Sequence, residues 1–177
     1  MQNRDHVVLV GPMGSGKSTL GRALAARLAR PFVDVDARIE ADAGGSIAAL
    51  FEAEGEAGFR AREARVLAAV LGGPSAVIAT GGGAVLAEPN RTAMRSAGIV
   101  VYLQVDAATQ LARLQGDASR PLLQAADRAQ RLAQLQAQRE PLYRAAAHLL
   151  FDASRLTPEA AAAALAGQLD TFGATRA

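Results

Sequence analysis

Nine residues near the start of the chain have the types and the spacing needed to hold a phosphate group. They read Gly-Pro-Met-Gly-Ser-Gly-Lys-Ser-Thr and fit the P-loop pattern G-x-x-x-x-G-K-[ST]. In this pattern glycines let backbone N–H groups point at phosphate oxygens, and the following helix adds its positive N-terminal end. The lysine reaches the β- and γ-phosphates, and the next hydroxyl binds magnesium. The predicted nucleotide-binding residues are Gly11, Gly14, Ser15, Gly16, Lys17, Ser18 and Thr19.

The residues around this loop favour the same interpretation. The apolar run Val7–Val10 is typical of a buried parallel strand, and Leu20, Leu24 and Leu28 recur at helical spacing. Lys17 is the only lysine, since all other basic residues are arginines, and it stands where a compact point charge is needed. The alternative is a glycine-rich turn between a strand and a helix that fits the pattern by chance.

Length and composition indicate one globular domain. The chain has 177 residues, of which 50% are hydrophobic, and it has no cysteine for a disulfide or a thiolate metal site. The net charge is only +2, and no basic stripe with aromatic residues indicates nucleic acid. Since we find neither a signal peptide nor a long apolar run, we expect a cytoplasmic protein with no membrane partner. We also expect no nucleic-acid partner, and a monomer.

Strands and helices alternate along the sequence, which predicts an α/β protein with a parallel sheet covered on both faces. The predicted strands are Val7–Val10, Phe32–Asp34, Ala76–Ala79, Ile99–Gln104 and Leu149–Asp152. The predicted helices are Lys17–Ala29, Ser46–Glu54, Glu56–Leu71, Asn90–Ser96, Ala107–Gln115, Asp127–Gln138 and Pro158–Thr171. The last residues, Phe172 to Ala177, are expected to fray.

Two carboxylates, Asp34 and Asp36, come at the end of the second predicted strand. Ligands of open α/β sheets bind beyond the carboxyl ends of the strands. If the strand persists, both side chains lie on one side, where one can hold magnesium through water and the other can accept a proton from a hydroxyl. The alternative is a polar strand end that caps the next helix.

Two further segments have residues suited to a ligand. Phe59 and Arg60 begin a predicted helix and suit a carboxylate or a ring-shaped ligand, and Glu63 is placed to pair with Arg60. The alternative for Arg60 is a solvated helix arginine. The triplet 81–83 is all glycine, follows a strand and lets a ligand approach the backbone closely, although a tight turn would also explain it.

Arginines are frequent between residues 116 and 143. Arg120 precedes a proline between two predicted helices, where a lid arginine can close over the γ-phosphate and exclude water. Arg128 and Arg131 are expected on the solvated face of a helix. His6 and His148 border apolar strands and are expected to be core or edge residues. No set of Ser, His and Asp indicates a hydrolytic nucleophile.

Taken together, these segments resemble the shikimate kinase family over about residues 6 to 165. The resemblance rests on the P-loop, Asp34-x-Asp36, Gly55-x-x-x-Phe59-Arg60, Gly81-Gly82-Gly83, Arg120-Pro121-Leu122-Leu123 and Arg139-x-Pro141-Leu142-Tyr143. It implies a single P-loop kinase domain over 1–177, three-layered (α/β/α), with a five-stranded parallel sheet. A lid is implied at about 116–124 and a substrate-binding segment at about 34–63. The implied reaction is ATP–magnesium phosphorylation of the shikimate 3-hydroxyl in aromatic amino-acid biosynthesis.

The resemblance also implies a role for each matching residue. The catalytic residues would be Lys17, Asp36 and Arg120. Magnesium would be held by Ser18 and, through water, Asp34. The shikimate-binding residues would be Asp36, Phe59, Arg60, Gly81, Gly82, Gly83 and Arg139. The adenine would lie between Arg113 and Arg155, and Arg120 would close onto the phosphates.

Two other functions are weighed against this one. Another small-molecule P-loop kinase, such as a gluconate kinase, shares the loop but has less use for two arginines that grip a carboxylate. A non-catalytic metabolite-sensing module with the same fold would usually lose Lys17 or Asp36 or carry a DNA-binding segment, and neither is seen.

Overall fold

The structure is a computed structural model that describes residues 6–115 and 127–176. Within these residues, five parallel strands form one sheet in the order β2-β3-β1-β4-β5. The strands are β1 (His6–Val10), β2 (Phe32–Asp34), β3 (Val77–Ala79), β4 (Gly98–Gln104) and β5 (Leu149–Asp152). The five strands predicted from the apolar runs are confirmed, with shifts of one residue at three starts.

Helices connect the strands, as the alternating pattern predicts. They are α1 (Lys17–Arg27), α2 (Val35–Ala43), α3 (Ile47–Leu71), α4 (Glu88–Ala97), α5 (Ala107–Arg113), α6 (Arg128–Ala146) and α7 (Pro158–Arg176), with a 3₁₀ turn at Ala84–Leu86. Asp106 and Thr157 accept hydrogen bonds at the starts of α5 and α7, the former from the Thr109 N–H at 2.8 Å. Both residues act as N-caps, because their oxygens satisfy N–H groups that have no partner within the helix.

Two hydrophobic clusters, one on each face of the sheet, make the fold three-layered. Alternate residues of β1 face opposite clusters: Val8 packs with the side of α3, α4 and α6, while Leu9 packs with α1 and α7. This is the side-chain alternation of a strand that is buried on both faces. The predicted α/β/α architecture is confirmed. Among the described residues, no helix combines the length and apolar character needed to cross a bilayer.

The strand register brings the carboxyl ends of three strands to one edge. Asp34 of β2 is level with Ala79 of β3, and Ala79 is level with Leu9 of β1. The segments that follow these strands are the P-loop, the Asp34–Asp36 segment and the glycine triplet 81–83. They therefore meet at one end of the sheet.

The segment after β2 differs from the prediction, because helix α2 begins immediately at Val35 instead of a longer strand. Val35 and Ile39, four residues apart, are both fully buried, which fixes this helix on the core. Asp34 is its N-cap and Gly44 ends it in the left-handed region at φ 68°. Asp36 is thus a first-turn helix residue and not a strand residue.

Three helix boundaries depart clearly from the predictions, while the other boundaries of the predicted helices lie within two residues of them. The predicted break at Gly55 is a kink inside α3, where the backbone has φ 69° and ψ 179°. Helix α6 continues past Gln138 and through Pro141 to Ala146. Helix α7 extends to Arg176, so the expected fraying from Phe172 is wrong for that range.

Candidate active site

The P-loop closes around its own lysine. The Lys17 Nζ donates to the carbonyl oxygens of Gly11 and Pro12 at 2.7 and 2.8 Å. Helix α5 supports the loop from below, because Gln110 donates to the Met13 carbonyl at 2.9 Å and Arg113 to that of Gly14 at 3.1 Å. The loop therefore has a fixed shape, with a positive charge inside it and the N-terminus of α1 at its end.

Ser18 and Asp34 form a pair of oxygen ligands beside this loop. The Ser18 hydroxyl donates to Asp34 Oδ2 at 2.6 Å. The other carboxylate oxygen of Asp34 accepts from the N–H groups of Asp36 and Ala37 at 3.1 and 3.3 Å. The alternative that Asp34 caps the next helix is thus confirmed. The same side chain also contacts Ser18, the other residue predicted to hold magnesium. A hydroxyl and a carboxylate oxygen fit Mg²⁺, which binds to oxygen and often to only one or two protein groups.

A cavity of about 360 Å³ opens next to the P-loop. It brings together every predicted substrate-binding residue, although these come from four separate parts of the chain. The residues around it are Met13, Asp36, Glu40, Ser46, Ile47, Ala48, Phe51, Phe59, Arg60, Glu63, Gly81, Gly82, Gly83 and Arg139.

Arg60 is held in one direction at the wall of this cavity. It donates to Glu63 Oε2 at 2.7 Å, as the three-residue spacing predicts, and its guanidinium lies 5.3 Å from the ring centre of Phe59 and 6.0 Å from that of Phe51. The side chain is only 22% exposed, so the solvated-arginine alternative is wrong. Its buried Nε has no hydrogen-bond partner among the described residues.

Glu63 is a buried carboxyl group in this wall, with 1% of its surface exposed. Burial raises the pKa of Glu63, Arg60 opposes that rise, and the nearby charge of Asp36 adds to it. The carboxyl group therefore lies close to the arginines and to Asp36, and its charge is expected to influence them.

Arg139 lines the same cavity beside the glycine triplet and is 95% buried. Its NH1 lies 3.5 Å from where a side chain on Gly82 would begin. Like Arg60, it has a buried Nε with no partner among the described residues. Two guanidinium groups with N–H donors to spare suit an anion, and a planar carboxylate in particular.

The glycine triplet leaves room for the charged side chains. A Cβ on Gly81 would lie 2.7 Å from Glu63 Oε1 and 2.8 Å from Asp36 Oδ1, and one on Gly83 would overlap the Arg60 guanidinium. These positions are glycine because side chains pass where a Cβ would be. Close approach, rather than a tight turn alone, explains the triplet.

A second cavity, of about 270 Å³, lies on the other side of the P-loop. Ser15, Gly16, Thr19 and Arg113 line it together with residues of the loop after β5. Arg113 is thus brought to the loop as predicted. Arg155 is exposed on the loop after β5. Its neighbours Ala153 and Leu156 line this cavity, but Arg155 does not.

Comparisons with known proteins agree with this geometry. A family profile described as shikimate kinase matches residues 13–170. A shikimate kinase of Chromohalobacter salexigens is 49% identical over 160 residues, which cover 90% of this chain and 89% of the relative. This chain belongs to the shikimate kinase family. It is therefore an ATP-dependent kinase, and the resemblance drawn from the motifs is confirmed.

Solved structures separate this family from the gluconate kinase alternative. A shikimate kinase from Acinetobacter baumannii in complex with shikimate superposes with a TM-score of 0.93 at 41% identity, covering 97% of this chain and 96% of that one. A gluconokinase from Sinorhizobium meliloti covers 99% of both chains with a TM-score of 0.57 at 16% identity, a likeness of fold alone.

Among the arginines, Arg120 was predicted to close a lid and Arg128 to lie on a solvated helix face. Arg120 and the proposed lid at 116–124 lie outside the described residues. Arg128 is half-buried and donates to the Leu114 carbonyl at 2.7 Å, so its assignment to a solvated helix face is wrong. This bond ties the start of α6 to the end of α5, and Leu114 in turn packs on the P-loop beside Met13.

Several cavity residues were not singled out from the sequence. Met13 was passed over as a variable position of the P-loop, and Ile47 and Phe51 were counted only as helix residues. Their four-residue spacing marks one apolar face of the part of α3 that precedes the kink at Gly55, and this face lines the cavity. Tyr143 was noted as part of a motif with no role assigned to it.

Proposed function

We propose that this chain transfers the γ-phosphoryl group of ATP to the 3-hydroxyl of shikimate, producing shikimate 3-phosphate and ADP for chorismate and aromatic amino-acid biosynthesis. One observation carries the proposal. Arg60 and Arg139, whose buried Nε atoms find no partner in the part of the chain that the structure describes, line a cavity that Asp36 also lines, directly beside the P-loop. A ligand with a carboxylate at one end and hydroxyls at the other fits this arrangement.

Substrate binding follows from the charges around the cavity. The carboxylate of shikimate accepts N–H groups from Arg60 and Arg139, in a setting where burial strengthens charge-assisted hydrogen bonds. The ring packs on Phe59 and against the backbone of the glycine triplet. Asp36, on the P-loop side, binds a hydroxyl. This sets the orientation of the substrate, because the two ends of the cavity attract opposite groups.

Phosphoryl transfer needs position and charge neutralisation more than covalent chemistry from the protein. Lys17 leaves its loop carbonyls for the phosphate oxygens, and the N–H groups of the loop hold the β- and γ-phosphates. Ser18 and Asp34 would hold Mg²⁺, the latter through water. The bound metal would supply positive charge that offsets the charge of the phosphates. Asp36 then orients the attacking hydroxyl and accepts its proton.

Other parts of the proposal rest on the family resemblance. Arg120 would close onto the phosphates, and adenine would occupy the second cavity beside Arg113, with Arg155 at its edge. We propose the cytoplasm as the compartment, because the ATP that the reaction consumes is available there. We also propose a monomer, since the only large apolar side chains exposed among the described residues are the separate Leu150 and Leu156.

The test is ADP release in a coupled assay with ATP and Mg²⁺, comparing shikimate with gluconate. The proposal expects turnover with shikimate and background rates with gluconate. Turnover of gluconate in preference to shikimate would support the other kinase. Tight binding of shikimate without any ADP release would support a sensing module. Arg60→Ala should weaken shikimate binding about 30-fold or more, with nucleotide affinity nearly unchanged, since a desolvated arginine–carboxylate pair is worth about 2–5 kcal/mol.

A further inference from the structure

Tyr143 is a fully buried tyrosine one helical turn beyond Arg139 on α6. Its hydroxyl donates to the Gly82 carbonyl at 2.7 Å, and the charged guanidinium of Arg139 lies close to the same hydroxyl. Tyr143 does not line the substrate cavity, although Gly82 and Arg139 both do. It therefore connects one arginine of the carboxylate clamp to the glycine triplet from behind.

The chemistry of these groups fixes the direction in which they can hydrogen-bond. Burial raises the pKa of Tyr143 to about 12, so the phenol keeps its single proton at neutral pH. That proton is given to Gly82, and arginine has only donors, so a bond between Arg139 and Tyr143 runs from the guanidinium to the phenol oxygen. The order is Arg139 to Tyr143 to Gly82. The charge on Arg139 strengthens the second bond, since hydrogen bonds in series polarise one another.

The ring of Tyr143 has little freedom to move. It stacks on Tyr102 with ring centres 5.1 Å apart and planes at 25°, and the Tyr102 hydroxyl accepts from Gln136 at 3.0 Å. A rigid ring sets the place of its hydroxyl. The hydroxyl and Arg139 NH1 each lie 3.5 Å from where a side chain on Gly82 would begin, so guanidinium, phenol and backbone meet at this glycine.

We propose that Tyr143 is a positioning residue for the carboxylate end of the substrate. By accepting one N–H of Arg139 and holding Gly82, its hydroxyl fixes the guanidinium plane at a set distance from the glycine triplet. The remaining N–H donors of Arg139 then face the cavity before the substrate arrives, so binding orders fewer groups. This inference rests on the proposed function, because it concerns how the same site grips a carboxylate.

The test compares Tyr143→Phe with the matched control Tyr102→Phe. Each change removes one buried hydroxyl from the same pair of stacked rings, but only the first hydroxyl contacts Arg139. Calorimetry should show shikimate binding about tenfold weaker in Tyr143→Phe, the usual size for a hydrogen bond to a charged group, and little changed in Tyr102→Phe. Affinity for ADP and kcat at saturating shikimate should stay near the parental values in both.

A neutral ligand separates positioning from general damage. The methyl ester of shikimate lacks the carboxylate charge, so its weaker binding should be almost the same in the parent and in Tyr143→Phe. In an Arg139→Lys background, Tyr143→Phe should cost little further shikimate affinity, because the residue through which it acts has been replaced. An equal loss for shikimate and its ester, or full additivity with Arg139→Lys, would overturn the proposal.

The outcomes also distinguish this proposal from the proposed function. A parent that neither binds nor phosphorylates shikimate contradicts the proposed function itself. A parent that binds shikimate while Tyr143→Phe binds it equally well contradicts only the positioning role. If Tyr143→Phe fails to fold while Tyr102→Phe folds, the hydroxyl is required by the fold and the positioning role is wrong.

Discussion

Asp34 and Asp36 are two residues apart and have different surroundings because a helix begins between them. Asp34 caps α2 and accepts from Ser18, while Asp36 turns toward the glycine triplet. An uninterrupted strand would have placed both carboxylates on the same side. The local start of a helix thus separates the residue proposed to support magnesium from the residue proposed to bind the substrate, within three positions of the sequence.

Replacing each carboxylate by its amide should therefore have different effects. Asp36→Asn keeps the shape but cannot accept a proton, so we expect kcat to fall about 10²–10⁴-fold with ATP affinity little changed. Asp34→Asn can still cap α2, since asparagine is a good N-cap, and its activity should be partly restored by raised Mg²⁺. Steady-state kinetics over a magnesium series measures both. Parental turnover in Asp36→Asn would mean that another group takes the proton.

Glu63 makes stability depend on pH. Burial raises its pKa in the folded protein above the unfolded value, so the folded state binds this proton more tightly. Its contribution to stability is complete below about pH 4.3, the unfolded value, and is lost as the pH rises through the folded-state pKa. The glutamine of Glu63→Gln has no proton to lose, so this variant does not lose stability in this way. The parent should therefore lose stability relative to the variant as the pH rises above that value.

Urea unfolding of the ligand-free proteins at a series of pH values measures the difference. Glu52→Gln, on the exposed side of the same helix, controls for the removal of a negative charge. A parent that gains stability relative to Glu63→Gln with rising pH would show that the ion pair with Arg60 outweighs burial.

At the scale of elements, the kink in α3 shapes the substrate cavity. The first part of the helix brings Ile47 and Phe51 to the cavity, and the second part brings Phe59 and Arg60. The kink at Gly55 joins them, and an ion pair between Glu54 and Arg62 spans it. A straight helix would direct these two faces differently, so this one glycine is needed for both walls to meet.

Gly55→Ala should destabilise the protein by about 1–3 kcal/mol, because its φ 69° and ψ 179° lie in a region that is essentially restricted to glycine. It should also weaken shikimate binding through Phe51. Gly167→Ala is the matched control, since Gly167 lies inside α7 with open space around it. This substitution should stabilise the protein by about 0.4–1 kcal/mol. Equal urea midpoints for the two variants would contradict this account of the kink.

The elements show which features could be predicted from the sequence. The five strands followed from short apolar runs, because buried parallel strands leave that signal. Helix α2 was missed, although Asp34 as a cap and the spacing of Val35 and Ile39 predict it, because the carboxylates were assigned to a strand. The end of α6 could not be predicted. Arg95, some fifty residues earlier in the chain, donates to the carbonyls of its last turn, and that contact exists only in the folded protein.

The residue types of the site could be predicted from the sequence, but the directions of their side chains could not. Motifs identified Arg60, Arg139 and the glycine triplet, yet whether Arg60 faced solvent or substrate depended on Phe51 and Phe59. Similarly, Arg128 was assigned to solvent because helix periodicity alone does not reveal a partner such as the Leu114 carbonyl. The roles given to Lys17, Asp36 and the magnesium residues remain predictions.

At the scale of the whole molecule, the sheet joins two sites at one edge. The cavity with two arginines lies on one side of the P-loop and the cavity with Arg113 on the other, so a phosphate held in the loop lies between them. Strand order alone creates this arrangement, since β1 is central and its loop lies between neighbouring loops. The central claim is that this geometry directs one hydroxyl of shikimate to the γ-phosphate.

The most direct test is the structure of the product. The purified protein is incubated with ATP, Mg²⁺ and shikimate, and the product is examined by ³¹P–¹H correlation NMR. The account predicts one phosphorylated product, with the phosphorus coupled to the proton on carbon 3 of the shikimate ring. Coupling to the proton on carbon 4 or carbon 5, or the absence of a phosphorylated product, would contradict it.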